Sequence, residues 1–570
     1  MSIFVISYNS IYLFLYPNKY DVSMKKVIYL LSILLLLFAN TIVAQKKNVI
    51  EKSEEQIKLF NAQQNFYAGE YQKALAIYKD ILAGKAGDAN IMGRIAECHF
   101  MLKQFTEAQD LAEKAKAIDA KAYDNTSLIL GQLYHRNEKL DEALAEYTLY
   151  KSIVGNGAKA KESDIDRLLT QIATAKAMIA SPADVKIENM GDNINSEQDD
   201  KAPMVTADGK TMIFTSRRPG KSSSLDKDGD NGYFEDIYIS RWDTLKKMWT
   251  DAELIPGAIN TEGHDACTSI SPDGKQIYLY KNDIDAESRG GDIYVSKIST
   301  SGKWGSPKSM GKPINTTYWE GGGCISPDGK AFYFISERVG GLGHGDIYVL
   351  KKKTKSEWEK APVNLGAEIN TPEDEGGLFL APDGKTLFFT SKGHNSMGGY
   401  DIFKTTLENG KWSKPVNLGY PINSVNNDFC FSMAVDAKTG YFTSDRKGGF
   451  GERDIYKVDL SNYPVLEKEM KTKVLDNGPK MAILKGTIFN ATDGSALEAE
   501  VVIFDDAGQQ IGSTSSSPEN GEYFTTLLAN KTYQIKIDLK GYKTIDEKVE
   551  VKAAKEGATT VVKHYLLYKK

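Results

Sequence analysis

The sequence predicts a multidomain α plus all-β protein: an N-terminal α-solenoid, a five-bladed β-propeller and a C-terminal all-β domain. Three observations carry this. Amphipathic helical runs headed by Ala74, Ala108 and Ala143 recur at separations of 34 and 35 residues. Further along, a block built on an Asp-Gly-Lys turn recurs, with Asp273, Asp328 and Asp383 spaced by 55 residues, Asp208 ahead of them and a decayed copy at Asp436. From Met481 the pattern turns to strands between Gly- and Asp-rich turns. Helical periods of about 34 residues and strand-rich periods of about 40–50 mark stacked helix pairs and propeller blades. A chain of 570 residues also exceeds what one hydrophobic core supports.

Residues 45–181 read as helix pairs. Gly69-Glu70-Tyr71 precedes Ala74, Gln104-Phe105 precedes Ala108, and Gly131 and Tyr134 take the small and aromatic positions of the third pair. The spacing matches the tetratricopeptide (TPR) period. Asp164 to Ile179 is expected to cap the array, because each pair needs a neighbour to bury its apolar face. Aligned on the alanines, the concave face offers Gln63, Phe66, Tyr67, Glu97, Phe100, Met101, Gln132, His135 and Arg136. Exposed aromatics there would anchor an incoming partner segment. The alternative is that the Phe and Met residues only pack between helices.

Residues 182–460 hold the propeller. Each repeat carries an acid eight residues ahead of its turn Asp, at Asp200, Asp265, Glu320, Glu375 and Asp428. Asp-Ile-Tyr or Asp-Ile-Phe follows at Asp236, Asp292, Asp346, Asp401 and Asp454, and Ile-Asn pairs stand at Ile194, Ile259, Ile314, Ile369 and Ile422. In the third copy the strands read as Gly322–Ile325, Ala331–Ile335, Asp346–Leu350 and Val363–Leu365. Strands one to three occur five times, but only four copies of strand four follow them. Asp184-Val185-Lys186-Ile187 is expected to supply the missing strand and close the ring, which removes the open sheet edges.

The order of acid, turn, strand, Ser-x-Arg (Ser216-Arg217-Arg218, Ser336-Glu337-Arg338, Ser444-Asp445-Arg446), Gly-rich loop and Asp-Ile-Tyr resembles the TolB-like propeller repeat, also called the WD40-like or PD40 repeat. A charged linker with Pro464 and Pro479 spans 461–480. Beyond it, Lys485-Gly486-Thr487-Ile488, Asp493-Gly494, Asn520-Gly521-Glu522-Tyr523-Phe524 and Lys540-Gly541-Tyr542 resemble the carboxypeptidase regulatory-like (transthyretin-like) β-sandwich, over 481–570. The order of the three modules is similar to an envelope protein family of the Bacteroidetes that includes the peptidoglycan-associated component of the type IX secretion system. That resemblance implies a non-catalytic scaffold or adaptor whose partners are envelope or outer-membrane proteins. In the family an OmpA-like domain normally follows and grips peptidoglycan. The sequence reaches Lys570 without one, so contact with peptidoglycan is expected only indirectly.

Composition and the N-terminus set the compartment. The formal net charge is −5 with no Lys/Arg block, which argues against a nucleic-acid partner. Met24-Lys25-Lys26, the apolar run Val27 to Phe38 and Ala39 to Ala44 read as a signal peptide cleaved after Ala44, with the natural start at Met24 and residues 1–44 as leader. No Cys follows the apolar run, so a lipoprotein is not expected, and no later run reaches about 18 apolar residues. The expected location is the periplasm, associated with the outer membrane. Cys98, Cys267, Cys324 and Cys430 are expected as buried free thiols rather than disulfides.

Two groups of carboxylates stand out. Asp200, Asp265, Glu320, Glu375 and Asp428 lie on the first strands and line the channel. They form either a ring at one mouth that attracts a cation or a basic peptide, or hydrogen bonds to the loops of their own blades, the commoner work of a repeat residue. Asp226, Asp228 and Asp230, with Asp236 as a fourth ligand, have the alternation of a calcium loop, although the Gly is one place late for an EF-hand and the closing Glu is missing. A solvated acidic loop is the other reading, and calcium is the only cofactor considered. The competing class is a propeller-based hydrolase or lyase, or a glycan- or peptidoglycan-binding module. No Gly-x-Ser-x-Gly elbow occurs and nothing in the sequence pairs the histidines with a nucleophile, so no catalytic residue is assigned.

Overall fold

The structure is a computed structural model that describes residues 54–570 apart from 207–208, 222–224, 226–231, 272–273, 283–289, 300, 355–356, 435–436, 464, 467–480, 519 and 553–558. The leader and most of the linker lie outside these residues. Among the described residues no helix is long and apolar enough to cross a membrane.

Residues 54–67 form helix α1, followed by α2 (Tyr71–Gly84), α3 (Ala89–Met101), α4 (Phe105–Ile118), α5 (Asn125–Arg136), α6 (Leu140–Val154), α7 (Ala158–Glu162) and α8 (Ile165–Ala180). Ala74, Ala108 and Ala143 each sit one turn into α2, α4 and α6 and are fully buried. A methyl group at that point lets a helix approach its partner closely. Asp88 caps α3 by accepting from the N–H groups of Asn90 and Ile91 at 3.0 and 3.2 Å. Gly93 is a second close approach: a Cβ there would fall 2.7 Å from Thr126 Oγ1.

The chain separates into two compact units. The first runs to Leu133 and takes in Ser152–Val154; the second holds Tyr134–Lys151 and everything from Gly155. This boundary differs from the one at 181/182 read from the sequence. The end of α5, most of α6 and α8 belong with the strands because His135, Arg136 and Gln171 hydrogen-bond to strand-connecting loops.

In the second unit five antiparallel sheets follow one another. Their first three strands are Asp200–Val205, Thr211–Ser216 and Asp236–Asp243 in sheet one, and Asp265–Ile270, Gln276–Lys281 and Asp292–Lys297 in sheet two. Sheet three has Glu320–Ile325, Ala331–Ser336 and Asp346–Lys351; sheet four has Glu375–Leu380, Thr386–Ser391 and Asp401–Glu408; sheet five has Asp428–Met433, Thr439–Ser444 and Asp454–Asp459. The first strand of each sheet lies against the first strand of the next, and that of sheet five lies against that of sheet one. The first strands therefore form a closed cycle. Asp328 and Asp383 hold the turns between strands one and two by accepting the N–H groups of Lys330 and Lys385, with Gly329 and Gly384 at φ +66° and +67°. The other turn aspartates, Asp208, Asp273 and Asp436, lie outside the described residues.

Sheet five gets its fourth strand from the other end of the repeat region. Lys186–Asn189 pairs antiparallel with it, from Lys186 opposite Asp459 to Asn189 opposite Tyr456. The Ile-Asn pairs repeat the same junction. The Asn195 side-chain amide accepts from Ile455 N–H and donates to Ile455 C=O, and Asn260, Asn315, Asn370 and Asn423 do the same to Ile237, Ile293, Ile347 and Ile402, all at 2.7–3.1 Å. Four of these clamps join consecutive segments, and Asn195 joins the first to the last.

Residues 481–570 form two four-stranded sheets. Met481–Asn490 pairs antiparallel with Glu522–Leu528 and parallel with Thr559–Val562 and Tyr565–Leu567. Glu500–Phe504 pairs with Gln510–Ser515 and Lys531–Ile537, which pairs with Ile545–Val551. Leu484, Ile488 and Tyr523 from one sheet and Val501, Ile535 and Val551 from the other share one buried core.

Asn195→Ala removes two backbone hydrogen bonds and leaves a buried N–H and C=O unpaired, so it is expected to destabilise the second unit by about 2–4 kcal/mol. Asn370→Ala should cost a similar amount. Urea denaturation followed by tryptophan fluorescence measures both, and an unchanged midpoint for Asn195→Ala would show that the first and last segments are not held by this clamp.

Candidate functional site

The repeat acids are fully or almost fully buried and bonded within their own sheets. Asp200 accepts from Ser196 N–H and Oγ, Asp265 from Thr261, Glu320 and Glu375 from Thr316 and Thr371, and Asp428 from Ser424, each four residues upstream. The Ser-x-Arg arginines complete the arrangement. Arg218, Arg338 and Arg446 each donate to their motif serine, to the carbonyl of Ile194, Ile314 or Ile422, and to Asp200, Glu320 or Asp428. Each guanidinium also lies over two rings, as Arg338 does over Phe334 and Tyr348 at 4.9 and 5.2 Å. Of the two readings of these acids, hydrogen bonds to their own loops are what the structure has, and the ring presented to a cation or basic peptide is corrected. All five carboxylates are buried and bonded within their own sheets, with Asp265 Oδ1 alone lacking a hydrogen bond and lying 3.4 Å from Lys281 Nζ, so they are not presented to a partner.

Sheets two and four depart from this pattern. In sheet two Lys281 stands for the arginine, 3.4 Å from Asp265 and 3.0 Å from Thr261 Oγ1. In sheet four the arginine position is Gly393. Lys392 turns to Asp374 at 2.6 Å, and His394 Nε2 takes over the bond to the Ile369 carbonyl at 2.9 Å. Among the described residues no cation pairs with Glu375. Burial pushes its carboxyl up to about 7, against bonds from Thr371 and Ser391 that favour the charged form. Burial also lowers the His394 imidazole below its ordinary value.

Sheet four is also where helices dock. His135, 5% exposed, bonds through Nε2 to the Met397 carbonyl at 3.0 Å, with Tyr147 Oη 3.5 Å from its Nδ1. Burial lowers its pKa to about 4. Arg136 donates to the Asp445 carboxylate and carbonyl at 3.1 and 3.2 Å. Gln171 of α8 donates to Ser396 Oγ and the Gly398 carbonyl at 3.0 and 2.5 Å, and Arg167 lies 3.7 Å from Glu373. His135 and Arg136 are thus corrected as partner-binding residues: they fasten this chain to itself.

The remaining residues of the expected concave face divide. Glu97 is engaged by Tyr123 Oη and, at 2.7 Å, by Asn125 Nδ2. Phe66 packs edge-on against Tyr71 at 5.2 Å, and Phe100 against Phe105 at 5.7 Å. Gln63 and Gln132 are half-buried. Tyr67 is 81% exposed and Met101 is exposed. The available apolar groups on this face are therefore Tyr67 and Met101 more than Phe66 and Phe100.

The calcium loop expected from the sequence falls largely outside the described residues, which omit Asp226, Asp228 and Asp230. Asp236 is buried and accepts the Lys221 N–H at 2.7 Å. Its counterparts Asp346, Asp401 and Asp454 likewise cap their own loops, through the N–H groups of Leu342, Met397 and Phe450. Asp236 Oδ2 takes the Lys221 N–H, while its Oδ1 is buried and has no hydrogen-bond partner among the described residues. Cys98, Cys267, Cys324 and Cys430 are free thiols, and burial raises all four, to about 11 for Cys430 and about 12 for the others.

The chain matches the tetratricopeptide repeat family over residues 66–126, and this stretch is a TPR repeat region. No curated protein is significantly similar to the chain. Among solved structures, the first TPR of Spaghetti (RPAP3) bound to the HSP90 peptide SRMEEVD is 21% identical, covering 22% of this chain and 93% of that one with a TM-score of 0.19. The Yersinia enterocolitica type III secretion chaperone SycD, in complex with a peptide of the translocator YopD, is 16% identical, covering 21% and 93% with a TM-score of 0.20.

The raised carboxyl of Glu375 has a definite pH signature. Its folded value of about 7 exceeds its ordinary 4.5, so the folded state holds the proton longer. The stability this contributes is complete below about 4.5 and is lost as pH rises through about 7. Glu375→Gln cannot ionise. Relative to wild type, the variant should therefore gain up to about 3 kcal/mol between pH 4.5 and pH 8, read from denaturation midpoints. A difference that stays constant with pH would mean that Glu375 titrates normally.

Proposed function

We propose that this protein is a non-catalytic scaffold of the periplasm, associated with the outer membrane of a Bacteroidetes-type envelope. In this reading residues 45–181 are a TPR array, 182–460 a five-bladed TolB-like β-propeller and 481–570 a carboxypeptidase regulatory-like sandwich. Its partners are envelope or outer-membrane proteins, in type IX secretion or a related assembly. The observation that carries it is the TPR repeat region at residues 66–126, a repeat that stacks into surfaces for protein segments. The cycle of five sheets, with Asn195 and Lys186–Asn189 joining first to last, supports the propeller. The two sheets over one core support the sandwich.

The histidines favour a scaffold over an enzyme. His99, His135, His394 and His564 bond to Gln104, the Met397 carbonyl, the Ile369 carbonyl and Thr487. His264 accepts the Glu235 N–H at 3.2 Å. Four of these five partners are backbone or amide groups, which a histidine holds in place rather than activates, and the fifth is the Thr487 hydroxyl.

Tyr67→Ala combined with Met101→Ala removes exposed groups only. It should weaken capture of the chain's envelope partners at least tenfold in a quantitative pull-down while leaving the melting temperature within about 2 °C, since surface changes cost about 0.5 kcal/mol or less. Phe66→Ala with Phe100→Ala should lower the melting temperature, because both rings pack on other aromatics. Capture by the Tyr67/Met101 variant at wild-type strength would remove this face from the binding surface.

A further inference from the structure

The loops between strands two and three are equal in length in sheets three, four and five, running from Ser336 to Asp346, Ser391 to Asp401 and Ser444 to Asp454. They share a backbone. Leu342, Met397 and Phe450 stand at one equivalent position, each giving its N–H to the loop-closing aspartate at 2.7, 2.9 and 2.5 Å. The following glycines, Gly343, Gly398 and Gly451, press against the next segment of the cycle: a Cβ on them would meet the carbonyls of Thr371, Val425 and Gln198 at 2.4, 2.0 and 2.3 Å.

Of these three equivalent positions only sheet four's is covered, although Arg136 also reaches Asp445 at the start of sheet five's loop. Met397 is 0% exposed beneath the end of α5 and α8, which reach its backbone with uncharged donors, His135 to the Met397 carbonyl and Gln171 to the Gly398 carbonyl. In sheet three the same seat is open. Leu342 is 49% exposed and Val339 80%. Tyr318, also exposed, is brought to this loop by the bond from Glu337 N–H to the Trp319 carbonyl at 3.0 Å. The carbonyls of Leu342 and Gly343 accept no hydrogen bond among the described residues. The open seat also continues the covered one, because Gly343 abuts the segment holding Glu373, which Arg167 of α8 approaches.

We infer that the sheet-three loop, through Val339, Leu342 and Tyr318, seats an amphipathic helix of a partner protein that carries an uncharged side-chain donor among aliphatic residues. The chemistry is that by which this chain's own α8 sits on sheet four. Phe450 of sheet five is a weaker candidate, because Lys447 and Glu452 flank it where sheet three offers Val339. The inference deepens the scaffold reading and rests on it.

The test uses the full chain and a fluorescein-labelled synthetic peptide of residues 165–180, the helix whose mode of seating is on view. Its own seat on sheet four is already filled in cis. The peptide should bind saturably by fluorescence anisotropy. Val339→Asp with Leu342→Asp should weaken that binding at least tenfold, Phe450→Asp should change it less than twofold, and a Gln171→Glu peptide should bind at least fivefold more weakly. The substituted side chains are exposed, and melting curves verify that the variants fold. Absence of saturable binding, or binding that survives the sheet-three double variant, overturns the inference. Neither result bears on partner capture through Tyr67 and Met101, so failure here is distinguishable from failure of the scaffold reading.

Discussion

The second unit depends on one small interaction used repeatedly: an asparagine amide clamped to both backbone groups of an isoleucine in the segment before it. Each clamp satisfies a buried N–H and C=O that would otherwise cost about 1–3 kcal/mol apiece. Four of the clamps occur between neighbours in sequence. The fifth, from Asn195 to Ile455, uses the same geometry across the whole length of the repeat region. Because the bond is identical, the first and last segments meet as any two consecutive ones do. The strand Lys186–Asn189 then covers the edge of Asp454–Asp459, and no specialised closing device is required.

Around that clamp, the repeat acids of sheets one, three and five are each paired with an arginine of their own sheet. An acid ties the segment four residues upstream, and an arginine ties the acid to the isoleucine of the Ile-Asn pair. Sheet four breaks the pattern. It lacks the arginine, substitutes His394 and leaves a Glu375 carboxyl that burial pushes up to about 7. It is also the sheet whose loop is covered by the end of α5 and by α8.

Much of this was legible in the sequence because repeats announce themselves. The 34- and 35-residue alanine spacing located the buried contacts of α2, α4 and α6, and the shortage of a fourth strand pointed to residues near Ile187. The same regularity left two readings of the repeat acids open. An acid at every repeat looks like a ring of ligands when only its period is visible. Its partners, Ser196 or Thr371 four residues upstream, look like ordinary loop residues until the backbone turns them onto the carboxylate. The Ile-Asn pairs were visible as a pattern, yet their work was not, since a side-chain bond to a distant backbone leaves no local mark. His135 and Arg136 fell on the expected partner face by helical alignment alone. Only the fold shows that loops 262 and 309 residues away already occupy them.

A ring built this way has little left to offer from its interior. The channel-side acids are consumed and buried, and the arginines are stacked and bonded. What varies without damage to the clamp is the loop residue at the position of Leu342, Met397 and Phe450, because its N–H does the structural work and its side chain points elsewhere. Backbone constancy with side-chain freedom is what lets one loop bind helices of its own chain while an equivalent loop keeps an apolar residue exposed. Within this repeat, side-chain variation is therefore accommodated at the loop ends, where the fold is indifferent to the side chain, and not at the motif residues that make the repeat recognisable.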